Sequence, residues 1–257
     1  MDLYFDISLT DGYKSASQSS RRLTEDWVGK NMFCPRCGNP TIHHMKNNSP
    51  VGDFICSKCK NQYELKSKGG NFRGKVNDGA YETMIRRITS SSNPDFFFMS
   101  YLPRQGKVND LFLVPKHFFI PNIIERRKPL SDTARRAGWV GCNILLNHIP
   151  QQGRINIISN GSVCNIESIV NQTNRSKLLE INNIGARGWL MDTLLCVNSI
   201  KTTEFTLSDI YAFESVLTVK HPDNNNVQAK IRQQLQLLRD RGFVEFLGNG
   251  RYRKCEV

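Results

Sequence analysis

The stretch GDFICSKCKNQYELKS, residues 52–67, sets two predicted β-strands on either side of a short turn that carries two cysteines. Side-chain character alternates along residues 51–56 and again along residues 62–67, which is the period of a half-buried strand. We predict that the two segments pair as an antiparallel hairpin folded about residues 58–59.

The predicted register brings three charged side chains together. Asp53 lies opposite Glu64, and Lys66 shares a face with Glu64 because strand residues two apart point the same way. Neighbouring carboxylates repel each other without a cation, and their oxygens suit Mg²⁺, which keeps several waters and accepts phosphate. The lysine can orient or deprotonate a water and neutralise charge on phosphate oxygens. Asp53, Glu64 and Lys66 are therefore candidate catalytic residues of a hydrolase, and three solvated strand charges are the alternative.

Four of the eight cysteines form two C-x-x-C pairs, one of them inside the hairpin. The pairs are Cys34 with Cys37 and Cys56 with Cys59. Each C-x-x-C turn directs both sulfurs inward, so two turns supply the tetrahedral thiolates of a structural Zn²⁺. Such a site has no open position, so this metal is expected to stabilise the fold and not to catalyse. His43 and His44, between the pairs, are expected to be loop residues.

The composition of the 257-residue chain indicates a soluble folded protein with a polyanionic partner. Hydrophobic residues make up 39% and charged residues 23%, and no apolar run approaches the ~20 residues of a membrane span. The first residues lack the apolar segment of a signal peptide, so we expect a cytoplasmic protein without membrane association. Lysine and arginine outnumber acidic residues 35 to 23, a surplus that favours nucleic acid.

Around the hairpin, the pattern predicts a mixed α/β core with the zinc site inserted at the hairpin tip. The expected elements are a helix over residues 23–32 capped by Thr24, the two hairpin strands, a helix over 77–88 with Ala80, Met84 and Ile88 on one face, and buried strands over 95–101 and 110–114. Apolar runs of this length suit central strands. Residues 116–150 are basic and expected to be loop-rich, and residues 165–186 are expected to be a linker.

The C-terminal residues 184–257 predict a winged helix-turn-helix. The expected elements are helices over 189–200, 207–217 (capped by Thr206) and 227–241, followed by a hairpin of residues 243–247 and 251–254. Arginine and glutamine on such a third helix can contact guanine and adenine in the major groove, and wing cations suit phosphate. The candidate DNA-contacting residues are Lys230, Arg232, Gln233 and Gln236 on the helix and Arg251 and Arg253 on the wing, which ends at Lys254. A winged helix used for protein contacts is the alternative.

Most of the positive charge lies outside this unit. Residues 184–257 contain ten basic and eight acidic residues, so ten of the twelve excess positive charges fall in residues 1–183. The larger domain, residues 1–183, is therefore expected to carry much of the phosphate-binding surface. Arg135 and Arg136 in its basic loop are either phosphate anchors or simple surface charge.

The spacing of Asp53, Glu64 and Lys66 on paired strands resembles the active site of the PD-(D/E)xK nuclease superfamily, although Gly52 stands where that superfamily often has proline. Further segments extend the resemblance over the whole chain: DGYKS at 11–15, ELKSK at 64–68, TARRAGWVGCN at 133–143 and IRQQLQ at 231–236. With the zinc pairs and the terminal winged helix, the chain is similar to the DpnI-like, methyl-directed (type IIM) restriction endonucleases.

The resemblance implies a type II endonuclease that needs Mg²⁺ and cuts GATC duplex DNA only when the adenine is N6-methylated, leaving blunt ends. It implies a Mg²⁺ site at Asp53, Glu64 and Leu65, a structural Zn²⁺, and a monomer that reads modified DNA with each of two domains. Trp139 resembles the methyl-contacting tryptophan of the family, since an aromatic wall favours an apolar methyl group by burial. From the residues alone, Trp139 as a core aromatic is the alternative.

Two other functions stay open at this stage. A non-catalytic regulator with a zinc ribbon and a winged helix would bind DNA tightly but would have no need of Asp53 together with Glu64 and Lys66. A nuclease directed at RNA is a third, weaker reading.

Overall fold

The computed structural model describes residues 1–45, 52–90 and 92–255, which contain three β-sheets and seven α-helices. The strands are β1 (His43–His44), β2 (Phe54–Ile55), β3 (Gln62–Gly69), β4 (Lys75–Ala80), β5 (Asp95–Leu102), β6 (Lys107–Val114), β7 (Ile124–Arg126), β8 (Gly141–Leu145), β9 (Ile155–Ser159), β10 (Ser162–Val163), β11 (Glu204–Thr206), β12 (Val244–Gly248) and β13 (Arg251–Lys254). The helices are α1 (Ala16–Asn31), α2 (Tyr81–Ile88), α3 (Ile166–Ser176), α4 (Ile184–Ser199), α5 (Leu207–Tyr211), α6 (Glu214–Lys220) and α7 (Val227–Asp240). In this described part of the chain, no helix has the length and hydropathy that a membrane span requires.

The largest sheet has seven strands in the order β1-β2-β3-β5-β6-β9-β10. Strands β3 and β5 run parallel, and the other neighbouring pairs in this sheet are antiparallel. A parallel pair needs a crossover connection, which β4 and α2 supply. The second sheet has the order β4-β8-β7, and the third has the order β11-β13-β12. The predicted mixed α/β class is therefore observed.

The central strand β5 is buried on both faces. Phe96 and Phe98 belong to one hydrophobic cluster, shared with α2 and the second sheet, whereas Phe97 and Met99 belong to another, shared with α1. Successive strand residues point to opposite faces, so the run FFFM fills both clusters. Full burial of each such side chain contributes roughly 1.5–3 kcal/mol. The predicted central strand is confirmed.

Helix α1 begins earlier than predicted and Thr24 is not its cap. The helix starts at Ala16, and Thr24 is buried in its middle, where Oγ1 donates to the Ser20 carbonyl at 2.9 Å and lies 3.1 Å from Ser67 Oγ. The first half of the helix is polar because it borders a cleft, so it has no apolar periodicity from which the start can be predicted.

The helix predicted over residues 77–88 is two elements. β4 extends to Ala80 and pairs with β8, with Val76 opposite Ile144, and α2 begins only at Tyr81. Tertiary pairing with β8 here overrides the local helical pattern. Met84 and Ile88 are buried as predicted.

Two segments predicted as loop or linker carry regular structure. β7 and β8 lie within residues 116–150 and complete the second sheet. The linker prediction for residues 165–186 is wrong, because α3 lies there, with Asn165 as its cap accepting from the Ser168 amide at 3.0 Å. The buried stripe of α3 combines Ile169 with a threonine and a serine, so the sequence does not show an apolar period.

The C-terminal unit has the helix-turn-helix arrangement, followed by the β12–β13 hairpin, which we term the wing. Thr206 caps α5 as predicted, through a capping box with Asp209. The single helix predicted over 207–217 is divided into α5 and α6 at Ala212 and Phe213, where no glycine or proline marks the break. The prediction of α7 and its buried stripe is confirmed.

The two parts of the chain pack against each other. One hydrophobic cluster includes Met84 of the N-terminal part together with Leu190 and Ile231 of the C-terminal unit. Asp192 on α4 is buried and accepts a hydrogen bond from Asn122 Nδ2 at 3.1 Å. Apolar and polar contacts thus join the helix-turn-helix unit to the α/β sheet.

Candidate active site

Strand β3 has an open edge beside the hairpin. Among the described residues, β2 pairs with it at two positions, Phe54 with Tyr63 and Ile55 with Gln62. This is the predicted register. From Glu64 onward, that edge of β3 is available to other groups.

Asp53 lies at this open edge and is fixed by two hydrogen bonds. Its amide donates to the Tyr63 carbonyl at 2.8 Å, and its Oδ2 accepts from the Leu65 amide at 2.8 Å. The N–H and C=O of one residue in an extended strand point to the same side. The Leu65 carbonyl therefore faces the same space as the Asp53 carboxylate.

The three candidate catalytic residues line one cleft of about 420 Å³. Leu65 and Ser67 of β3 also line it, and the opposite wall is the N-terminal half of α1, with Ser17, Ser20, Arg21, Thr24 and Glu25. Asp53, Glu64 and Lys66 are thus brought together in one concave space.

A cluster of opposite charges surrounds Lys66. Its Nζ is 2.5 Å from Glu64 Oε1 and 2.5 Å from Asp78 Oδ1, and Arg87 Nη2 contacts the second oxygen of Glu64. The side chains are 16% exposed for Lys66, 12% for Glu64, 10% for Asp78 and 18% for Arg87. With Asp53, three carboxylates face two cations, so the site has an excess negative charge that can attract a further cation.

Phe96 forms an aromatic support under both cations. Its ring centroid is 5.9 Å from Lys66 Nζ and 5.5 Å from Arg87 Cζ, within the range of cation–π attraction. Burial lowers the pKa of Arg87, while the negative charge of Asp53 acts to raise it. A guanidinium stays protonated despite such a shift, so Arg87 remains a fixed positive charge against Glu64.

Sequence reasoning missed Asp78 and Arg87, together with the residues of α1 that wall the cleft. Asp78 belongs to a strand predicted as helix, and Arg87 carries no motif. Arg21 and Glu25 form an i,i+4 ion pair at 2.6 Å, a pattern typical of any solvated helix. The sequence contained no signal that separates these residues from ordinary surface charge.

The two C-x-x-C turns form a compact cluster of thiols. The Sγ atoms of all four lie within 4.8 Å of one another. Cys34 Sγ is 3.6 Å from Cys59 Sγ, and Cys37 Sγ is 3.7 Å from Cys56 Sγ. Zinc–sulfur bonds of about 2.3 Å place tetrahedral sulfurs about 3.8 Å apart, so the cluster can bind zinc.

The surroundings of the thiols differ between the two turns. Burial raises the pKa of Cys34 well above its ordinary value. At Cys56, burial acts in the same direction, but the Cys59 and Lys58 amides and the neighbouring thiols outweigh it and lower the pKa to about 7. His43 and His44 lie on β1, exposed and outside the thiol cluster, so they form a short strand where a loop was predicted.

The thiol cluster is linked to the sheet that carries the cleft. Tyr63 of β3 is buried, with its hydroxyl 3.0 Å from Cys34 Sγ and its ring stacked on Phe97 at 4.8 Å. Asn61 donates to the buried carboxylate of Asp95 at 2.7 Å. These contacts connect the cysteine turns directly to the first residues of β3 and β5.

The basic loop before β8 presents Arg135, Arg136 and Trp139. Both arginines are exposed, and Trp139 is half-buried, so it is not a core residue. Arg136 Cζ lies 4.8 Å from the centroid of the Trp139 ring. The loop is closed by the Leu130 amide, which donates to the Trp139 carbonyl at 3.0 Å. Trp139 therefore has a backbone held by hydrogen bonds and a half-buried ring that the exposed Arg136 side chain covers.

Helix α7 exposes the polar residues predicted for it. Arg232, Gln233 and Gln236 are exposed and Lys230 is partly exposed. Arg232 Nη1 donates to the Tyr211 hydroxyl at 2.7 Å, so α5 contributes an aromatic residue to this surface. Tyr211 had no signal in the sequence.

The wing cations are not equivalent. Arg253 forms ion pairs with Glu204 at 2.8 Å and Glu245 at 3.1 Å, and Lys254 Nζ donates to the Ile200 carbonyl. Arg251 is exposed and has neither kind of partner within the described residues. Of the three wing cations, Arg251 is therefore the one most available to phosphate.

A basic α/β chain with an acidic cleft at a sheet edge and a C-terminal helix-turn-helix fits the class of DNA-binding enzymes that includes restriction nucleases. The family model described as the Dam-replacing family (DpnI) matches residues 1–182, and the model described as the Dam-replacing HTH domain matches residues 185–254. The chain belongs to the DpnI, or Dam-replacing, family. Membership confirms the resemblance and implies a type II restriction endonuclease whose HTH domain binds DNA.

Proposed function

We propose that this chain is a Mg²⁺-dependent endonuclease that hydrolyses GATC duplex DNA when the adenine carries an N6-methyl group. The observation that carries the proposal is the cleft at the open edge of β3, where Asp53, Glu64 and Lys66 meet. A regulator that only binds DNA has no use for this concentration of buried charge.

The residues of the cleft fit a hard divalent cation. Asp53, Glu64 and the Leu65 carbonyl would hold Mg²⁺, since all three offer oxygen ligands and the cluster has an excess negative charge. Bound there, the ion would act as a Lewis acid on the scissile phosphate and lower the pKa of a bound water. The hydrogen bond from the Leu65 amide fixes the Asp53 carboxylate, which lines the cleft, through Oδ2.

The protein groups supply the electrostatics of the reaction. Lys66 holds its ammonium between two carboxylates in the cleft, where it can orient the attacking water and stabilise charge on the phosphate oxygens. Arg87 neutralises the second oxygen of Glu64 and so limits repulsion between Glu64 and Asp53. The α1 wall, with Arg21 and Glu25, bounds the cleft on the side opposite β3.

The thiol cluster is proposed to bind structural Zn²⁺ as an insertion in a PD-(D/E)xK core. Cys34, Cys37, Cys56 and Cys59 offer a closed donor set with no position for substrate. Because Cys56 follows β2 and Cys59 precedes β3, the metal would hold the two ends of the hairpin that carries Asp53 and Glu64.

Recognition is proposed to be divided between residues 1–183 and residues 184–257. In the first domain, the Trp139 ring would cover the adenine methyl group after Arg136 moves to a phosphate, with Arg135 as a second anchor. In the second domain, α7 would contact the major groove through Lys230, Arg232, Gln233 and Gln236, and Arg251 and Arg253 would lie along the backbone. With both readers in one chain, a monomer is sufficient.

The test is cleavage of oligonucleotide duplexes that contain one GATC site, unmethylated, hemimethylated or methylated on both strands, with Mg²⁺. We expect cutting of the methylated duplex and none of the unmethylated one. Tight binding without cutting under every divalent metal would instead support the regulator. Competition by duplex RNA as effective as that by methylated DNA would point to an RNA-directed enzyme.

A further inference from the structure

Asp78 is a buried carboxylate of the charge cluster that lies outside the hairpin. It belongs to β4 in the second sheet, and its Oδ1 is 2.5 Å from Lys66 Nζ. We propose that Asp78 is a positioning residue that keeps the Lys66 ammonium in the cleft when Glu64 is engaged by a metal ion. This inference rests on the proposed nuclease function.

The two carboxylate partners of Lys66 differ in what else they do. Glu64 is a candidate Mg²⁺ ligand, so a bound cation competes with Lys66 for its oxygens. Asp78 is not among the described residues that line the cleft. It therefore remains available to Lys66 whether or not the cleft holds a metal.

Asp78 is itself held firmly in place. Its Oδ1 also accepts from the Gly79 amide at 2.7 Å, and its backbone pairs with Cys142 of β8. Its Oδ2 is buried and has no hydrogen-bond partner among the described residues. Buried carboxylates need a compensating charge, and Lys66 is the cation in contact with this one.

The consequence is a fixed direction for the lysine. Held by Asp78 from the second sheet and supported by the Phe96 ring, Nζ has little freedom to move out of the cleft. A displacement of about 1 Å in a group that acts on the reacting atoms can cost roughly a hundredfold in rate. The position of Asp78 therefore bears on the chemical step and not on DNA binding.

The first experiment is Asp78→Asn, which preserves shape and the hydrogen bond to Gly79 but removes the charge. At saturating Mg²⁺, we expect the single-turnover cleavage rate of methylated duplex to fall about 10- to 100-fold. The Kd for the same duplex without metal and the Mg²⁺ concentration for half-maximal rate should stay at their wild-type values, and the variant should remain folded at the assay temperature, because Lys66 keeps Glu64 as a partner. Glu125→Gln, which breaks the exposed pair of Glu125 with Lys75 at 2.7 Å in the same sheet, is the control and should cleave normally.

A second measurement needs no metal and no turnover. Labelling of lysines by an amine-reactive reagent, mapped by mass spectrometry, should rise severalfold at Lys66 in Asp78→Asn and not in Glu125→Gln. Labelling of Lys75 should rise in Glu125→Gln, which removes its partner, and should stay at the wild-type level in Asp78→Asn.

Three results would overturn the inference. The first is wild-type cleavage with unchanged Lys66 labelling in Asp78→Asn. The second is recovery of its rate by excess Mg²⁺, which would make Asp78 a metal ligand. The third is a loss of DNA affinity or of the folded state at the assay temperature, which would make its role structural. Parallel assays of Lys66→Met keep the two proposals apart, because normal cleavage by that variant contradicts the nuclease site itself.

Discussion

Glu64 is the residue on which the charges of the cleft converge. One of its oxygens pairs with Lys66 and the other with Arg87, whereas the side-chain partner of Asp53 among the described residues is the Leu65 amide, which donates to Oδ2. The two candidate metal ligands therefore differ in what their removal leaves behind. Loss of Glu64 leaves the mostly buried Arg87 without its carboxylate partner, and loss of Asp53 relieves repulsion between carboxylates.

This difference predicts different effects on the free energy of unfolding for two variants that both impair cutting. Glu64→Gln should lower the free energy of unfolding by about 1–3 kcal/mol, the usual cost of an unsatisfied buried polar partner. Asp53→Asn should leave it unchanged or raise it. Urea denaturation of the metal-free proteins measures both, and equal destabilisation by the two variants would contradict this charge arrangement.

His117 predicts a pH dependence of stability. Burial lowers its pKa to about 3, despite a hydrogen bond with the Ser176 backbone, and the charges of Arg187, Arg36 and Lys116 act in the same direction as burial. In the unfolded chain its pKa is about 6.5. The stabilisation that buried, neutral His117 gives the folded state is therefore complete above about pH 6.5 and is lost as the pH falls from there toward 3.

His117→Gln should reduce the loss of stability between pH 7.5 and pH 5 by about 2 kcal/mol, from 1.36 kcal/mol per pH unit below the unfolded pKa. His148→Gln, at an exposed histidine, is the matched control for the exchange of histidine for glutamine. Denaturation midpoints at the two pH values give the slopes. The thiol cluster is common to all three proteins, so its own pH dependence cancels. An identical slope for wild type and His117→Gln would refute the assignment.

At the scale of elements, the hairpin was predictable and its surroundings were not. Alternation and the C-x-x-C turns define β2, β3 and their register locally, and these are observed. The start of α1, the strand β4 and the helix α3 depend on what they pack against. Polar residues on the cleft side of α1 and on the buried stripe of α3 conceal the helical period.

The cysteine turns form one structural element with the hairpin, so their loss should disturb the residues of the cleft. Cys56→Ser should lower the melting temperature by about 6–12 °C, which corresponds to roughly 3 kcal/mol in a chain of this size. It should also reduce cleavage, because Cys56 follows directly on β2. Cys255→Ser, at a partly buried thiol outside the cluster, is the control. An unaltered melting temperature and full activity in Cys56→Ser would rule out the zinc anchor.

The ion pairs of the wing predict that Arg251 and Arg253 contribute unequally to DNA binding. Arg251→Ala should weaken binding to all duplexes and reduce the slope of log Kd against log salt by about 1, the signature of one phosphate contact. Arg253→Ala should do less, because Glu204 and Glu245 already neutralise Arg253. Fluorescence anisotropy over a range of salt concentrations measures both, and a larger effect at Arg253 would contradict the ion pairs.

At the scale of the whole molecule, the distribution of charge and the order of domains follow from the sequence, but the full site does not. The helix-turn-helix and the acidic pair on the hairpin are local patterns. Asp78 and Arg87 reach Lys66 and Glu64 only through the crossover between β3 and β5, which places β4 and α2 over the sheet. No local pattern encodes such a contact, because it depends on topology.

The central claim is that Asp53 and Glu64 hold a catalytic Mg²⁺ beside Lys66. The most direct test is single-turnover cleavage of a methylated GATC duplex by wild type and Asp53→Asn over a range of Mg²⁺ concentrations, with the Kd for DNA measured alongside. We predict that the variant binds the duplex as wild type does and that its rate is lower by a factor of about 100 or more at every Mg²⁺ concentration. Cleavage by Asp53→Asn at the wild-type rate would contradict the claim.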